Sequence, residues 1–325
     1  MPMRGKSWLG VLGALFAGQA MAACSVVTTA PVSFGSISSM TVRTAAQASS
    51  TANSGLSCTS ALISVLVSSD HFYATITSSK TGMVGPTGDV IGYTLYGTNS
   101  TSFPITRGTQ FDFGGAGGIA QSIGLIAGPG SKNVPLYVSS IAGSNVAAGL
   151  YSETLNIAWS WNYCSGVGIG GICLGRDIGS GTAALTVSMT VTNDCQITAP
   201  NISFGSAPVV SGFATVTGQT SISCTKGSAY SVGLSDGQNP LGVGGRRRMV
   251  SGSNYLAYDI FKSAGTTRWG SVGAARRASS TAEVNPGNGL GIGSQVFNYN
   301  ARIYTDQPTP SAGTYLDNVV LDVGF

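Results

Sequence analysis

The stretch CSVVTTAPVSFGS, residues 24–36, has an echo in CQITAPNISFGS, residues 195–206. Each begins with a cysteine, runs through a strand-like segment to Phe-Gly-Ser, and meets a second cysteine further on, Cys58 in one case and Cys224 in the other. The far ends agree as well. Residues 149–159 read GLYSETLNIAW and residues 313–323 read GTYLDNVVLDV, so that Gly149 matches Gly313, Tyr151 matches Tyr315 and Glu153 matches Asp317. Two copies at so long a spacing mean duplicated domains, because solenoid repeats recur at about 20–50 residues. Two units are therefore expected, 23–180 and 181–325, joined at Gly179-Ser180-Gly181.

The repeat also bears on the six cysteines. It points to the pairs Cys24–Cys58 and Cys195–Cys224, which leaves Cys164 and Cys173 to close a small loop peculiar to the first unit. Zinc would want cysteines two to four residues apart, and this chain has none so spaced, so no metal is expected. Leu185, Val187, Met189 and Val191 alternate with Thr186, Ser188, Thr190 and Thr192, and Val319, Leu321, Val323 and Phe325 alternate with their neighbours. A period of two is the strand signature. With charged residues at 9% against about 25% in ordinary domains, and 47 glycines, the chain reads as all-β, a sandwich or barrel with almost no helix.

The N-terminus has the form of a signal peptide, residues 1–22: Arg4 and Lys6, an apolar run from Trp8 to Phe16, and an A-x-A site at Ala20-Met21-Ala22. The run is shorter than the roughly 20 residues that span a bilayer. Met21-Ala22-Ala23 before Cys24 makes a poor lipobox. Export fits the cysteine count, since disulfides persist outside the cytosol. Cleavage removes two cations and lowers the net charge from +4 to +2, which gives no reason to expect a nucleic-acid partner. Arg246-Arg247-Arg248 and Arg276-Arg277 read as solvated loops among Gly and Ser.

Motifs for chemistry are weak. Gly166-Val-Gly168-Ile-Gly170-Gly171 spells G-x-G-x-x-G, but a dinucleotide site needs a helix next and Cys173 arrives instead. His71 is the only histidine and no G-x-S-x-G elbow accompanies it. The 12 acidic residues include no pair that context singles out for glycosidase chemistry. Trp159 and Trp161 could stack a sugar, though core packing is the plainer expectation. No cofactor is expected, and the chain reads as a non-enzyme.

Several segments of the second unit carry a resemblance: ALTVSMTVTNDC (184–195), Phe204-Gly205, Cys224, PGNGLGIGS (286–294), FNYNARIY (297–304) and SAGTYLDNVVLDVGF (311–325). They resemble the spore coat protein U family, which supplies the pilins of archaic Csu-type chaperone–usher pili. The first unit keeps both cysteines, Phe34-Gly35 and the GLYSETLNIAW ending, while its middle diverges. The resemblance implies two tandem immunoglobulin-like sandwiches, the second an incomplete pilin fold. It also implies the partners: a periplasmic pilus chaperone, an outer-membrane usher, and the donor strand of the next pilin subunit. Val319, Leu321, Val323 and Phe325 would be the chaperone's handle.

With only Ala23 between the expected cleavage site and Cys24, the mature chain is expected to receive a donor strand and to give none, the position of a pilus-tip subunit at the cell surface. Two-domain tip subunits of these pili are adhesins with an adhesive N-terminal domain, so the resemblance implies attachment to a hydrophobic surface or an unknown receptor, and biofilm formation. Three apolar, glycine-rich stretches are candidate binding fingers, because large apolar side chains are scarce in loops that bind nothing. They are 81–92 with Met83 and Val84; 114–130 with Ile119, Ile123, Leu125 and Ile126; and 164–173 with Val167, Ile169 and Ile172. A secreted structural coat protein and a carbohydrate-binding surface protein are the alternatives.

Overall fold

The computed structural model describes residues 24–59, 70–114, 131–169 and 172–325. The first unit is built from β1 (Cys24–Val26), β2 (Val32–Ser38), α1 (Ser39–Thr44), β3 (Ala52–Thr59), β4 (His71–Thr77), β5 (Met83–Val84), β6 (Val90–Ile91), β7 (Tyr93–Tyr96), β8 (Pro104–Ile105), β9 (Gln110–Asp112), β10 (Ser131–Ser140), β11 (Gly149–Ile169) and β12 (Ile172–Thr192). The second contains β13 (Cys195–Thr198), β14 (Val216–Cys224), β15 (Ser231–Leu234), β16 (Arg247–Ser251), β17 (Asn254–Lys262), β18 (Arg277–Ala278), β19 (Gln295–Ile303) and β20 (Leu321–Gly324). Beyond α1, whose first turn is capped by the Ser38 hydroxyl accepting from the Thr41 N–H, the described residues hold only short 3₁₀ turns as helix. The fold is all-β, as the alternation predicts.

Each unit is a sandwich around its own apolar core. In the first, the sheet β1-β3-β10-β7-β8 faces the sheet β2-β12-β11-β4-β9. In the second, β13-β14-β19-β17-β16 faces β18-β15-β20. The pairing register sets Cys24 opposite Cys58 and Cys195 opposite Cys224, and both pairs are bonded. Cys164 bonds Cys173 across the β11–β12 hairpin. All three disulfides are therefore the ones the repeat points to.

Gly179-Ser180-Gly181, read from sequence as a joint, lies in the middle of the 21-residue β12, within the regular part of its ladder with β11. The glycines serve packing there: a Cβ at Gly179 would collide with the Trp161 ring, and one at Gly181 with Val26. The chain passes from one core to the other at Asn193-Asp194. That crossing is pinned by paired hydrogen bonds, Asp194 N–H to Thr225 Oγ1 at 2.8 Å and Thr225 N–H to Asp194 O at 3.0 Å.

The arginine runs are not simply solvated loops. Arg247 and Arg277 are buried in the second core. Arg247 pairs with buried Asp259 at 2.7 Å and donates to the carbonyls of Leu234, Ser235 and Trp269; Arg277 pairs with Glu283 and donates to Asn298 O and Thr281 O. The Arg247 guanidinium is tolerated because its fixed fork of donors is answered by a carboxylate and carbonyls, whereas at Arg277 the terminal nitrogens are paired and the buried Nε–H is not.

Candidate functional site

Matched strand by strand, the two copies differ at β2 and β12, and the short β5, β6 and α1 of the first unit also lack counterparts. β1, β3, β10, β7 and β8 correspond to β13, β14, β19, β17 and β16, while β4, β9 and β11 correspond to β15, β18 and β20. Nothing in the second unit corresponds to β2 or β12 among the described strands. In the first unit β12 lies between β2 and β11, parallel to β2 and antiparallel to β11, with Ala183, Leu185, Val187, Met189 and Val191 sealed into the core.

The second unit keeps the residues that would flank such a strand. Gly35 and Gly205 both sit at φ +73°, so the Phe-Gly-Ser kink is the same in both copies. Residues 199–207, however, form no strand. Val32, Tyr151, Leu155 and Ile157 are fully buried in the first unit, whereas their matches Ile202, Tyr315, Val319 and Leu321 are only half-buried. Between them runs a cleft of about 550 Å³, floored by Tyr258, Ile260 and Trp269. Ile202 and Phe204 stand on one bank of the cleft and Tyr315, Val319 and Leu321 on the other.

Among the polar residues lining the cleft, which include Asn201, Ser203, Thr220 and Asn318, Asp317 is the one carboxylate. Asp317 accepts from the Tyr258 hydroxyl at 2.8 Å and from the Gln238 N–H at 2.8 Å. Burial, reinforced by that carboxylate, pushes the Tyr258 phenol far above its ordinary range, so it stays a hydrogen-bond donor. The terminal strand β20 is clamped by Arg276, which pairs with Asp322 at 2.6 Å and donates to Ser231 O at 2.9 Å. Among the described residues no three His, Cys, Asp or Glu groups gather as a metal site would need.

The Spore Coat Protein U domain matches residues 14–158 and again 181–322. The chain belongs to the Spore Coat Protein U domain family. Its second match starts inside β12, so the strand that leads into the second copy by sequence completes the first copy in space. Among solved structures this family member is similar to a chain in the CsuC–CsuE chaperone–tip adhesion subunit pre-assembly complex from the archaic chaperone-usher Csu pili of Acinetobacter baumannii. The two are 27% identical, the match covers 93% of this chain and 100% of that one, and the TM-score is 0.62. A weaker likeness is to the CupB6 tip adhesin from Pseudomonas aeruginosa, 13% identical over 93% of this chain and 94% of that one, with a TM-score of 0.30. No curated protein matches the sequence.

The candidate residues fall out as follows in this family member. Val319 and Leu321 are half-buried on the cleft, Val323 is half-buried against the second core, and Phe325 is exposed at 59%. Met83 is no finger residue: it pairs with Ile91 in the short β5–β6 ladder, which turns its side chain wholly into the first core. Val84 is half-buried beside Val90 and Ser152. Ile119, Ile123, Leu125 and Ile126 lie outside the described residues. Val167, Ile169 and Ile172 lie on the end of the β11–β12 hairpin, braced by the Cys164–Cys173 bond. Gly149, at the other end of β11, is near the junction, and at about 3.3 Å per residue the hairpin end lies roughly 60 Å along the strand from it. Thr59, His71 and Ser131 lie toward the hairpin end: His71 pairs with Asn162, and Thr59, paired with Ser131, follows Cys58, whose partner Cys24 donates its N–H to Asp177 on β12. Trp159 and Trp161 are both buried, which removes them as sugar platforms.

Sequence reading missed Tyr258, Trp269 and Asp317 as cleft residues. Asp317 was legible through its match to Glu153; Tyr258 and Trp269 carry no local signal and are placed by the fold.

Proposed function

We propose that this protein is the tip adhesin of a chaperone–usher pilus, a binding subunit rather than an enzyme. One observation carries the reading: a strand position filled by β12 in the first unit is open in the second. An open apolar cleft beside a sheet edge is unstable in isolation and invites an added strand, whose main chain supplies affinity and whose alternate side chains fill pockets. A periplasmic chaperone fills the cleft first. At the outer-membrane usher the donor strand of the next pilin replaces it. The lead-in strand 184–192 is held inside the first unit and is not free to enter another subunit's cleft. The chain therefore receives a strand, which suits the end of a fibre. Likeness to a tip subunit from Csu pili supports the same position. The first unit, its own cleft filled, turns its far pole outward, and the disulfide-braced hairpin there is the element we assign to attachment on hydrophobic surfaces and so to biofilm formation.

Periplasmic expression with and without the cognate chaperone tests this. A soluble one-to-one complex with the chaperone, and aggregation or proteolysis of the second unit without it, is the expected result. A stable monomer that ignores the chaperone would overturn it.

A further inference from the structure

The two units treat one matched acid differently. In the first, Glu153 is sealed beneath β12 at 1% exposure. Arg107 closes on it with two hydrogen bonds, 2.7 Å and 3.0 Å, and the Tyr93 hydroxyl donates from 2.5 Å. Opposite it on β12 stands Val187, which brings no charge. The cation comes from the unit's own turn between β8 and β9.

In the second unit Asp317 takes the place of Glu153, and Tyr258 on β17 takes that of Tyr93 on β7. Arg107 has no counterpart: none of the ion pairs among the described residues includes Asp317. The arginines of this core are committed elsewhere, Arg247 and Arg268 to Asp259, Arg277 to Glu283 and Arg276 to Asp322. Asp317 is nonetheless held in place. Gly237, at φ +79°, leaves the space its carboxylate occupies, and the Gln238 and Asn318 N–H groups both donate to Oδ1.

A strand filling the cleft strips water from Asp317 as β12 does from Glu153, and a buried carboxylate without a cation is strongly disfavoured. We infer that the strand which fills this cleft carries a lysine or arginine facing Asp317, where β12 has Val187. The residues two places to either side, facing Tyr315 and Val319, are apolar, as Met189 and Leu185 are opposite Tyr151 and Leu155. Directly opposed side chains on antiparallel strands stand about 5 Å apart at Cβ, within ion-pair reach. The inference rests on the reading of the cleft as a strand acceptor. It adds a consequence: a second copy's own 183–191 segment would set an uncharged valine against Asp317, so the cleft discriminates against filling by its own kind.

The hairpin of the first unit supplies the test, since β11 turns directly into β12. Residues 181–192 are copied behind Phe325 through a short Gly/Ser turn in the full chain. Three tails are compared: the native copy, one with Val187→Lys and one with Val187→Met in the copied segment, the last controlling for side-chain length. The readouts are protease protection of the tail and the thermal midpoint. The Lys tail is expected to survive about tenfold longer than either other tail, with the advantage lost in Asp317→Asn. Equal or better protection of the Val or Met tail in the Asp317 chain overturns the inference and leaves the acceptor reading standing. Failure of all three tails to be protected overturns the acceptor reading itself.

Discussion

Lys226 of the second unit meets Asp89 of the first, with Nζ 2.5 Å from Oδ1. The same carboxylate accepts from the Ala147 N–H at 3.1 Å, and Ala147 pairs in turn with Lys226 through a short parallel bridge. Buried beside them, Ser39 and Thr225 share a hydroxyl hydrogen bond of 2.6 Å, and Asn145 donates to Leu290 O at 3.0 Å. The contact between units is thus polar: Asp89 and Lys226 form its ion pair, and Arg43 of the first unit donates to Gly291 O of the second. Burial pushes the Asp89 carboxyl up, but the hydrogen bonds from Lys226, Ala147 and Thr87 together outweigh this and hold it below its ordinary value of 3.8. A lowered carboxyl stabilises above its unfolded value and stops doing so as pH falls through its folded one. Lys226→Ala should therefore lower the thermal midpoint at pH 7 and low salt, by the equivalent of no more than about 1 kcal/mol for so exposed a lysine. The difference from the parent should shrink below pH 3.8 and at high salt. Calorimetry at paired pH values checks both; a difference that grows on acidification would contradict the assignment.

Leu185 is fully buried where β12 completes the first unit, while Thr186 beside it is exposed. Leu185→Asp places an unpaired charge in that core, an effect of roughly 3 kcal/mol or more. Limited proteolysis should then degrade the first unit while the second is still captured by the chaperone. Thr186→Asp, one residue on, should leave both units intact. Survival of the Leu185→Asp first unit would mean that β12 is dispensable and that the filled cleft is not the right template for the open one.

Much of this architecture was written in the repeat. The Phe-Gly-Ser steps and matched cysteines fix two sandwiches and their disulfides, because register and covalent pairing are local facts. The alternation in 185–191 announces a strand. What it does not announce is which core the strand enters: its pattern serves either unit, and only the pairing with β2 and β11 decides. Gly179 and Gly181 look like a linker for the same reason, since closeness to Trp161 and Val26 is a property of the folded chain. Met83 misled because a glycine-rich context suggests a loop, whereas a two-residue ladder is enough to turn its side chain inward. The open cleft depends on comparing burial across two copies, which no single window of residues contains.

Gly179 gives a sharper test of that point. A flexible joint would tolerate alanine, and a solvent-exposed one would gain slightly from it. Here the added methyl meets the Trp161 ring, which is itself buried and has no room to yield. Gly179→Ala should destabilise the first unit by about 1–3 kcal/mol, the usual range for overpacking. A thermal midpoint equal to or above the parent's would return residues 179–181 to the role of a linker.

Cys164 and Cys173 staple the β11–β12 hairpin beyond the sandwich, where the strands have each other as partners and a register shift falls between Cys164 and Val167. A bridge closing so short a loop restrains the local open state by about 2–3 kcal/mol in the chain-entropy account. Replacing both cysteines by alanine should leave the core and the chaperone interaction intact, since the other two disulfides still tie β1 to β3 and β13 to β14 within the sandwiches. It should loosen the hairpin end and lower attachment to hydrophobic plastic several-fold at unchanged piliation. Amide exchange along 160–178 separates the causes: faster exchange with unchanged attachment would remove the hairpin from the adhesive surface, whereas loss of both together ties attachment to its rigid presentation.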